Sequence, residues 1–498
     1  MRVVLIAPYS DITAFGMRSL AAYLKSRWVP TRQIFLPDAV AELEDFSGRF
    51  YRYDPAVLDR VAVLCADADL VGISLFTMYF ERVADLTAKL KERIRAPVLW
   101  GGIHPTVKPG ECLRHADMIC VGEGEEALYD LVRRMGEGLP AGDVPNIWVR
   151  RDGEIVRNNL RPLIQDLDNL PFPDYELEDD YVMIAGEGRV ERMDRELLEE
   201  FLGSSPMALN ARTVPYQTMA TRGCPHSCTY CCNHLLRKLY GGQRYLRRRS
   251  PENIVSELSE VVRRYPFIKR ITFSDDSFFA AGEEAIAEFA GLYRKKVGLP
   301  FFCLGSPLTI TAGKLEHLAA AGMVELQMGI QSASERTLQL YNRRIPVDLT
   351  EKAAVLINRH RKTVMPIYDF LLDNPYEDTR DVVETLRFAL KLPRPYVLQP
   401  FSLVLFPGTV LYDRARADGI LADEKVDVYR KQFHIRESSY LNLMFLLLNH
   451  GFPRVLMRLL LSAPAVFAFN RKVFNPLYAV IIVGYRRIKC RLRGFARV

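Results

Sequence analysis

The sequence predicts an α/β protein whose first part is a doubly wound, Rossmann-like domain. Short apolar runs of four or five residues are typical of buried parallel strands, and amphipathic helical patterns separate them. This alternation predicts a parallel sheet with helices on its faces. The strand-like runs are Val3–Ala7, Val71–Leu75, Val98–Trp100 and Met118–Val121, and the helical patterns include Met17–Lys25 and Arg82–Arg93.

A second α/β region extends from Tyr216 to about Asp418, where short apolar strands again alternate with helices. At roughly 200 residues it is shorter than a full eight-unit barrel. Between the two regions, Asn146–Asn158 predicts a hairpin that turns at Asp152 and Gly153, and prolines follow it. We therefore divide the chain into residues 1–140, a connector over 141–210, a second domain over 211–430 and a tail over 431–498.

The chain has 498 residues and a net charge of +7, and this charge is unevenly distributed. Ser438–Val498 contains ten Lys and Arg residues and no Asp or Glu, so the remainder carries +7 − 10 = −3. A basic excess confined to one tail argues against a general nucleic-acid surface, and no nucleic-acid partner is expected. The nine cysteines are odd in number and no secretory signal is recognisable. Both observations favour a reducing, cytoplasmic compartment.

Three cysteines, Cys224, Cys228 and Cys231, have C-x3-C-x2-C spacing. Three thiolates can hold three corners of a 4Fe–4S cluster and leave the fourth iron open to a substrate, whereas electron carriers usually have four cysteine ligands. The alternative is a zinc site, for which a second pair of ligands usually follows nearby. The candidates for that pair are too close in sequence to form it, and Cys232 is interpreted as a non-ligand. These candidates are His226, Cys232 and His234.

The spacing of these cysteines, the Arg-Gly pair before them and Tyr230 resemble the radical S-adenosylmethionine superfamily. The resemblance implies a partial (β/α)6 TIM-type barrel, S-adenosylmethionine on the open iron, and reductive cleavage to a 5′-deoxyadenosyl radical. It also implies an electron donor of the flavodoxin or ferredoxin type. Tyr230 belongs to the implied cofactor-binding set.

Further residues match the family at predicted strand ends, where parallel barrels gather their functional groups. Asp275 and Asp276 stand at the turn that holds the amino group of S-adenosylmethionine, although they are also candidates for a helix N-cap. Gln331 and Asp369 match two ribose ligands. Arg343 matches the partner of the methionine carboxylate; Arg344 is the second choice, and a solvated helical arginine is the alternative.

The loop after Asp369 departs from the family pattern. The family usually continues with Gly-x-Pro, whereas this chain has Asp373, Asn374 and Pro375.

Glycine-rich loops of the first domain resemble those of the cobalamin-binding domain that precedes many radical S-adenosylmethionine domains. The D-x-H-x-x-G pattern of histidine-ligating members becomes Asp11-x-Thr13-x-x-Gly16 here, which argues against histidine ligation and implies an open or water-bound lower face of cobalt. His104 is interpreted as a loop residue or, alternatively, a cobalt ligand. A nicotinamide site is disfavoured because no G-x-G-x-x-G follows the first strand. The implied cobalamin-binding residues are Asp11, Thr13, Gly16, Ser74, Thr77, Gly101, Gly102, His104, Gly122 and Glu123. The alternative is a scaffold that has lost its ligand or binds another nucleotide.

The tail contains four apolar runs separated by cationic residues, each shorter than the ~20 residues of a spanning helix. This pattern predicts helices lying in a membrane interface on the inner face of a membrane. The alternative is a helical cap with a solvated basic face. The runs are Met444–Leu448, Val455–Leu461, Ala463–Phe469 and Tyr478–Tyr485.

The combined resemblance implies a cobalamin-dependent C-methyltransferase with three cofactors: a 4Fe–4S cluster, S-adenosylmethionine and cobalamin. The radical would take hydrogen from an unactivated carbon of a small molecule, and methylcobalamin would supply the methyl group. If the tail binds membrane, a lipid or isoprenoid substrate is the corresponding hypothesis. Two alternatives remain open: cyclisation, oxidation or coupling with the same cofactors, and a non-catalytic cobalamin or redox sensor.

Overall fold

The computed structural model describes residues 1–37, 52–205, 213–433 and 437–492, and the side chains of 141, 483 and 485–492 are not described. The chain forms two units. The first comprises residues 1–218, 230–270 and 405–431, and the second comprises 219–229, 271–404 and 432–498. The predicted boundary between residues 210 and 211 lies outside the described residues.

A nine-stranded sheet forms the centre of the first unit. Its order is β7-β6-β5-β4-β3-β1-β2-β8-β9, parallel from β5 to β8 and antiparallel at both edges. The four predicted strands are β1, β3, β4 and β5, so the doubly wound prediction is confirmed. The strands are β1 (Val3–Ala7), β2 (Thr31–Phe35), β3 (Leu70–Ser74), β4 (Val98–Gly101), β5 (Met118–Cys120), β6 (Ile147–Arg151), β7 (Glu154–Val156), β8 (Asp180–Ile184) and β9 (Arg189–Arg192), with β10 (Pro215–Thr218) and β12 (Arg247–Arg248) also in this unit.

Helices of the first unit follow the strands, as the alternating pattern requires. They are α1 (Phe15–Lys25), α2 (Pro55–Leu64), α3 (Phe80–Lys91), α4 (Ile103–Val107), α5 (Pro109–Cys112), α6 (Glu125–Gly136), α7 (Arg195–Gly203), α8 (Cys232–Leu239), α9 (Pro251–Arg264) and α15 (Val410–Ala417). In the core order β2-β1-β3-β4-β5, the chain continues from β1 to β2 on one side and from β3 to β4 and β5 on the other side. Ligands of such sheets bind at this switch point between β1 and β3, beyond the carboxyl ends of the strands.

A buried arginine fixes the loop that follows β1. Arg18 is fully buried, and its guanidinium donates to the carbonyl oxygens of Ile12 and Asp174. It also lies 3.7 Å from the carboxylate of Asp180 and 3.9 Å from the ring centre of Tyr175. Burial raises the pKa of Asp180 to about 6, against the attraction of Arg18. Since a buried guanidinium needs all these partners, the loop around Ile12 has one defined position.

The second unit contains parallel strands in the order β13-β14-β15-β16-β17. Each strand is followed by a helix, and the fold class is therefore confirmed. The strands are β11 (Thr221–Arg222), β13 (Arg270–Phe273), β14 (Phe301–Gly305), β15 (Met323–Gln331), β16 (Met365–Leu372) and β17 (Val397–Ser402). The helices are α10 (Glu283–Lys296), α11 (Ala312–Ala321), α12 (Glu335–Leu340), α13 (Val347–Arg359), α14 (Thr379–Lys391), α16 (Tyr440–Asn449), α17 (Arg454–Leu460), α18 (Ala463–Phe469) and α19 (Asn475–Leu492).

The tail divides into a buried helix and three exposed helices. The run Met444–Leu448 was predicted as a membrane-interface segment, but in α16 it belongs to the core: Phe445 is fully buried and its ring lies 5.4 Å from that of Phe370. In α17 and α18 most apolar side chains remain exposed, and α19 exposes Leu477, Val480 and Ile481. No helix among the described residues combines the length and apolarity needed to cross a bilayer.

Gly122 gives a test of how closely the first unit is packed. It has a φ of +84°, and an added Cβ would lie 1.8 Å from the Tyr240 hydroxyl. We expect Gly122→Ala to lower the free energy of unfolding by at least about 2 kcal/mol more than Gly138→Ala. Gly138 is the matched control, because its φ of +70° is similar but nothing lies within 4 Å of its Cβ position. Urea denaturation of both variants measures the difference, and equal losses would contradict the close contact.

Candidate functional site

The segment before the cysteines is fastened to the end of β13. Asp275 is fully buried and accepts hydrogen bonds from the Ala220 amide at 3.1 Å and the Thr221 hydroxyl at 2.6 Å. Burial raises the pKa of Asp275 to about 6, and these hydrogen bonds oppose the rise. Asp276 is exposed. Neither carboxylate caps a helix, since the N-cap of α10 is Gly282, and that alternative is therefore wrong.

The cysteine loop is held at its second cysteine by the turn after α12. The Thr229 amide donates to the Tyr341 carbonyl at 3.0 Å, and the Asn342 side chain donates to the Ser227 carbonyl at 2.9 Å. Cys228 between them is buried, whereas Cys224 is half-buried. The imidazole of His226 lies 2.9 Å from the Ser306 hydroxyl, so one of its ring nitrogens already has a hydrogen-bond partner.

The third cysteine belongs to the first unit, where it caps a helix. Cys231 is the N-cap of α8, and the Asn233 side chain lies 3.7 Å from its sulfur. The Tyr245 hydroxyl holds Asn233 at 2.6 Å. The N-terminus of a helix carries partial positive charge, which suits an anionic ligand beside it. Cys232 is the first residue inside this helix, and Tyr230 just before it is half-buried.

The described residues contain no group of three His, Cys, Asp or Glu side chains that converges on a single metal ion. An iron–sulfur cluster imposes a different requirement, because each cysteine binds a different iron at a separate corner. Three sulfur donors without a histidine or carboxylate among them suit iron–sulfur chemistry better than a hard cation. The donor set formed by Cys224, Cys228 and Cys231 therefore fits a cluster.

Two buried acceptors at neighbouring strand ends have no hydrogen-bond partner among the described residues. They are Oε1 of Gln331 and Oδ1 of Asp369. Gln331 has a φ of +71° at an irregularity between β15 and β16, a conformation that costs energy and clusters at functional sites. The other oxygen of Asp369 accepts from the Gln327 side chain at 2.7 Å, a contact that the sequence did not reveal. Unpaired buried acceptors fit the hydroxyl donors of a ribose.

Arg343 lies beside these acceptors rather than in solvent. Its side chain is buried, and one guanidinium nitrogen lies 3.9 Å from the Cys228 sulfur. The other terminal nitrogen donates to the Gly329 carbonyl. The alternative of a solvated helical arginine is wrong for Arg343, because it follows α12 in a buried turn, whereas Arg344 is exposed. The arrangement brings a cation to the cysteine loop.

Asp373 replaces the glycine of the family's Gly-x-Pro and keeps a backbone conformation typical of glycine. Asp373 adopts a φ of +57°, in the left-handed region that glycine occupies most readily. Its carboxylate accepts from the Asn442 side chain at 2.6 Å and from the Glu437 amide at 3.1 Å. The aspartate therefore keeps the backbone turn and anchors α16 to the end of β16.

The loops after β1 and β3 form an aromatic surface at the point where the sheet order reverses. The Tyr9 hydroxyl donates to Ser74 at 2.6 Å, and the Tyr9 ring lies 5.1 Å from Phe76 and 5.7 Å from Tyr79. Phe76 is half exposed. Thr13 is buried, and its hydroxyl bonds to the Asp11 carboxylate. An exposed ring beside small residues fits a large flat ligand.

Two other predicted cobalamin-binding residues, Gly102 and Glu123, lie in different surroundings. Gly102 has a φ of +96° and would place a Cβ 2.8 Å from the Ser74 hydroxyl, so its backbone must lie close to β3. The Glu123 carboxylate is engaged internally, where it pairs with Arg247 at 2.8 Å and accepts from the Ile164 amide.

His104 is part of the core. It is fully buried in α4, bonds to Thr77 at 3.1 Å and lies 5.0 Å from the Phe80 ring and 5.5 Å from the Tyr429 ring. Burial lowers its pKa to about 3. Its interpretation as a loop residue is therefore wrong, because His104 lies within a helix.

The Asp369 carboxyl predicts a specific pH dependence of stability in the cofactor-free protein. Burial raises its pKa from 3.8 to about 7, against the Gln327 hydrogen bond and the charge of Arg343. The folded state therefore holds a proton between pH 4 and 7 that the unfolded state has lost, and stability falls as pH rises through this window. Asp369→Asn should remove a loss on the order of 4 kcal/mol.

Thermal unfolding of wild type and Asp369→Asn between pH 4 and 8 measures this effect. The variant should gain on the wild type as pH rises, whereas Asp152→Asn, at an exposed turn, should follow the wild-type curve. Parallel curves for wild type and Asp369→Asn would exclude a raised pKa at this position.

Two families match the chain in consecutive segments. Residues 1–132 match the B12 binding domain, and residues 218–389 match the Radical SAM superfamily. These two matches confirm the predicted cofactor set of a 4Fe–4S cluster, S-adenosylmethionine and cobalamin.

Several curated proteins are similar over most of their length. An uncharacterized methyltransferase of Pyrococcus horikoshii is 25% identical over 438 residues, which covers 84% of both chains. Bacteriochlorophyllide d C-8(2)-methyltransferase of Chlorobaculum tepidum is 24% identical over 76% of this chain and 75% of its own. The anaerobic magnesium-protoporphyrin IX monomethyl ester cyclase of Synechocystis sp. is 24% identical over 68% of this chain and 62% of its own.

Solved structures share the fold. The radical S-adenosylmethionine methyltransferase TsrM of Kitasatospora setae, solved with cobalamin and a 4Fe–4S cluster, has a TM-score of 0.61 at 16% identity and covers 84% of this chain and 75% of its own. The cobalamin-dependent radical enzyme OxsB, with aqua-cobalamin and S-adenosylmethionine, has a TM-score of 0.63 at 13% identity over 98% of this chain and 71% of its own. With its two matched domains, the chain is a radical S-adenosylmethionine enzyme that carries a B12-binding domain.

Proposed function

We propose that this enzyme transfers a methyl group to an unactivated carbon of a small molecule. The observation that carries the proposal is the pairing, in one chain, of a B12-binding domain with buried, unpartnered acceptors beside a cysteine loop. Similarity to two methyltransferases over three quarters or more of the chain supports methyl transfer as the reaction. When bound, cobalamin supplies a transferable methyl group, and the cluster with S-adenosylmethionine supplies a carbon-centred radical.

We propose that S-adenosylmethionine is bound by the strand ends of the second unit. Oε1 of Gln331 and Oδ1 of Asp369 would accept hydrogen bonds from the ribose hydroxyls, which would remove the energetic cost of leaving them unpaired. Arg343 would pair with the methionine carboxylate through its planar fork. The exposed turn at Asp276 would hold the amino group, while the Asp275 side chain fixes the turn from inside.

The cysteine loop is proposed to hold the cluster through Cys224, Cys228 and Cys231. The contact of Arg343 with the Cys228 sulfur would place a cation beside the bound cluster. The buried hydrogen bonds of Asp275 keep the segment before the loop in place.

Cobalamin is proposed to lie at the carboxyl ends of β1, β3, β4 and β5, within a domain that spans residues 1–140. Phe76 would contact its flat face, and the glycines of these loops allow a close approach of the backbone. Thr13 stands where histidine-ligating members have their histidine, and its hydroxyl bonds to Asp11; we propose that Thr13 would help to shape the loop rather than bind the metal. The remaining proposed limits are 141–210 for the connector, 211–430 for the barrel and 431–498 for the tail.

A second candidate reaction is radical cyclisation or oxidation without methyl transfer. The similarity to an anaerobic cyclase over 68% of the chain favours it as the alternative. Both candidates use the same cofactor site, so the fate of the methyl group is the property that distinguishes them. An apolar substrate such as a lipid or isoprenoid fits the exposed apolar tail, and a flavodoxin- or ferredoxin-type donor would supply electrons.

The proposed reaction predicts labelled product only when the cluster is intact. Host cells that make the protein would receive methyl-labelled methionine, and their extracts would be compared with those of cells making Cys228→Ala. We expect a new labelled compound with wild type and with the matched control Cys232→Ala, but none with Cys228→Ala. Purified wild type and the control should contain about four iron atoms per chain, and Cys228→Ala far fewer.

An unlabelled new product that also requires Cys228 would overturn methyl transfer and support the cyclisation alternative. Full iron content in Cys228→Ala would exclude this residue as a cluster ligand.

Two neighbouring arginines test the carboxylate contact. We expect Arg343→Gln to weaken S-adenosylmethionine binding by about 10- to 100-fold, because a charge-assisted bond is worth roughly 1.5–3 kcal/mol. Arg344→Gln, at an exposed position, is the matched control and should change the Kd less than about twofold. Equilibrium dialysis with cluster-loaded protein measures both values, and the reverse order would assign the contact to Arg344.

A further inference from the structure

The last three helices expose a surface of apolar side chains. We call it the tail surface and define it by side chains of α17, α18, α19 and the turn before α19. They are between 43% and 75% exposed. The residues are Val455, Leu456, Leu459, Phe467, Phe469, Val473, Leu477, Val480 and Ile481.

We infer that the tail surface binds an anionic lipid bilayer. Each helix already has a buried side that packs against its neighbours: Met457 in α17, Val466 in α18, and Tyr478 and Ile482 in α19. The exposed apolar side chains therefore do not complete the core. Nine exposed apolar side chains on three consecutive helices and the turn between them indicate a binding surface rather than scattered solvent-facing positions.

The charge of the tail favours lipid headgroups over a protein partner. Ser438–Val498 carries ten Lys and Arg residues and no acidic residue. Arg458 and Lys472 are exposed among the apolar side chains of the tail surface. Anionic headgroups complement the charge of these two side chains. A second copy would bring the same positive charge to the contact and repel it.

Helix length and sequence order suit binding in the plane of the interface. α17 and α18 have seven residues each, far fewer than a spanning helix requires. In α19 the apolar segment before residue 484 is followed by Arg486, Arg487 and Lys489. Long cationic side chains such as those of Arg458 and Lys472 can reach headgroups while neighbouring apolar groups enter the acyl boundary. The inference depends on this surface alone and stands independently of the proposed reaction.

The test measures binding of the full, cofactor-loaded chain to sedimented vesicles. We expect on the order of tenfold stronger binding to phosphatidylcholine vesicles that contain phosphatidylglycerol than to phosphatidylcholine alone. Added salt should weaken this preference, because screening reduces the attraction between exposed charges.

Two double variants, each with a matched control, separate the apolar from the charged contribution to vesicle binding. Phe467→Ser with Val480→Ser should reduce binding at least about tenfold, because the apolar contact is lost. The matched control, Val63→Ser with Leu308→Ser, changes apolar residues that are 61% and 50% exposed elsewhere and should bind like wild type. Arg458→Gln with Lys472→Gln should reduce the preference for phosphatidylglycerol, whereas Lys295→Gln with Lys296→Gln, exposed on α10, should not.

Failure to bind either vesicle, or equal loss of binding in the apolar variant and its control, would overturn the inference. Light scattering of the same samples tests for the other possible occupant of the tail surface, a second copy of the chain. A dimer that the Phe467→Ser and Val480→Ser changes abolish, without any vesicle binding, would assign the tail surface to a second copy. Near-identical far-ultraviolet circular dichroism of all variants excludes misfolding as the cause.

Discussion

The need to satisfy a buried carboxylate governs the organisation of the candidate site. Asp275 has lost its water entirely, so it must find donors within the protein, and it finds them in Ala220 and Thr221. This requirement fixes the chain shortly before Cys224. In β16 the same requirement is only half met, because one oxygen of Asp369 has a donor and the other has none among the described residues. The contrast distinguishes a carboxylate that supports the site from one suited to bind a ligand.

The sequence predicted the elements that follow simple periodicity. Continuous apolar runs identified β1, β3, β4 and β5, but β2 escaped because Arg32 and Gln33 interrupt its apolar pattern. Gln33 is buried only because Asp174 and Asp180 accept its hydrogen bonds, and those partners lie more than 140 residues away. Long-range pairing of this kind leaves no local signal.

The site was predictable where a motif has fixed spacing and unpredictable where tertiary contacts decide. Cysteine spacing identified the cluster ligands as candidates, whereas the contact of Gln327 with Asp369 depends on the register of two strands. His104 was assigned to a loop because glycine and proline surround it, but aromatic packing buries it. The buried helix α16 and the exposed helix α18 have similar apolar composition, so composition alone could not distinguish core from surface in the tail.

Asp373, which stands where the family pattern has glycine, connects the end of β16 to α16. A glycine after β16 would allow the left-handed turn but could not anchor anything. Asp373 accepts the strain of a positive φ, and its carboxylate holds Asn442 in α16. Because α16 in turn packs beneath α17 and α19, this one carboxylate links the strand that carries Asp369 to the helices of the tail surface. A local departure from the pattern thus couples the position of the tail to the wall of the candidate cofactor site.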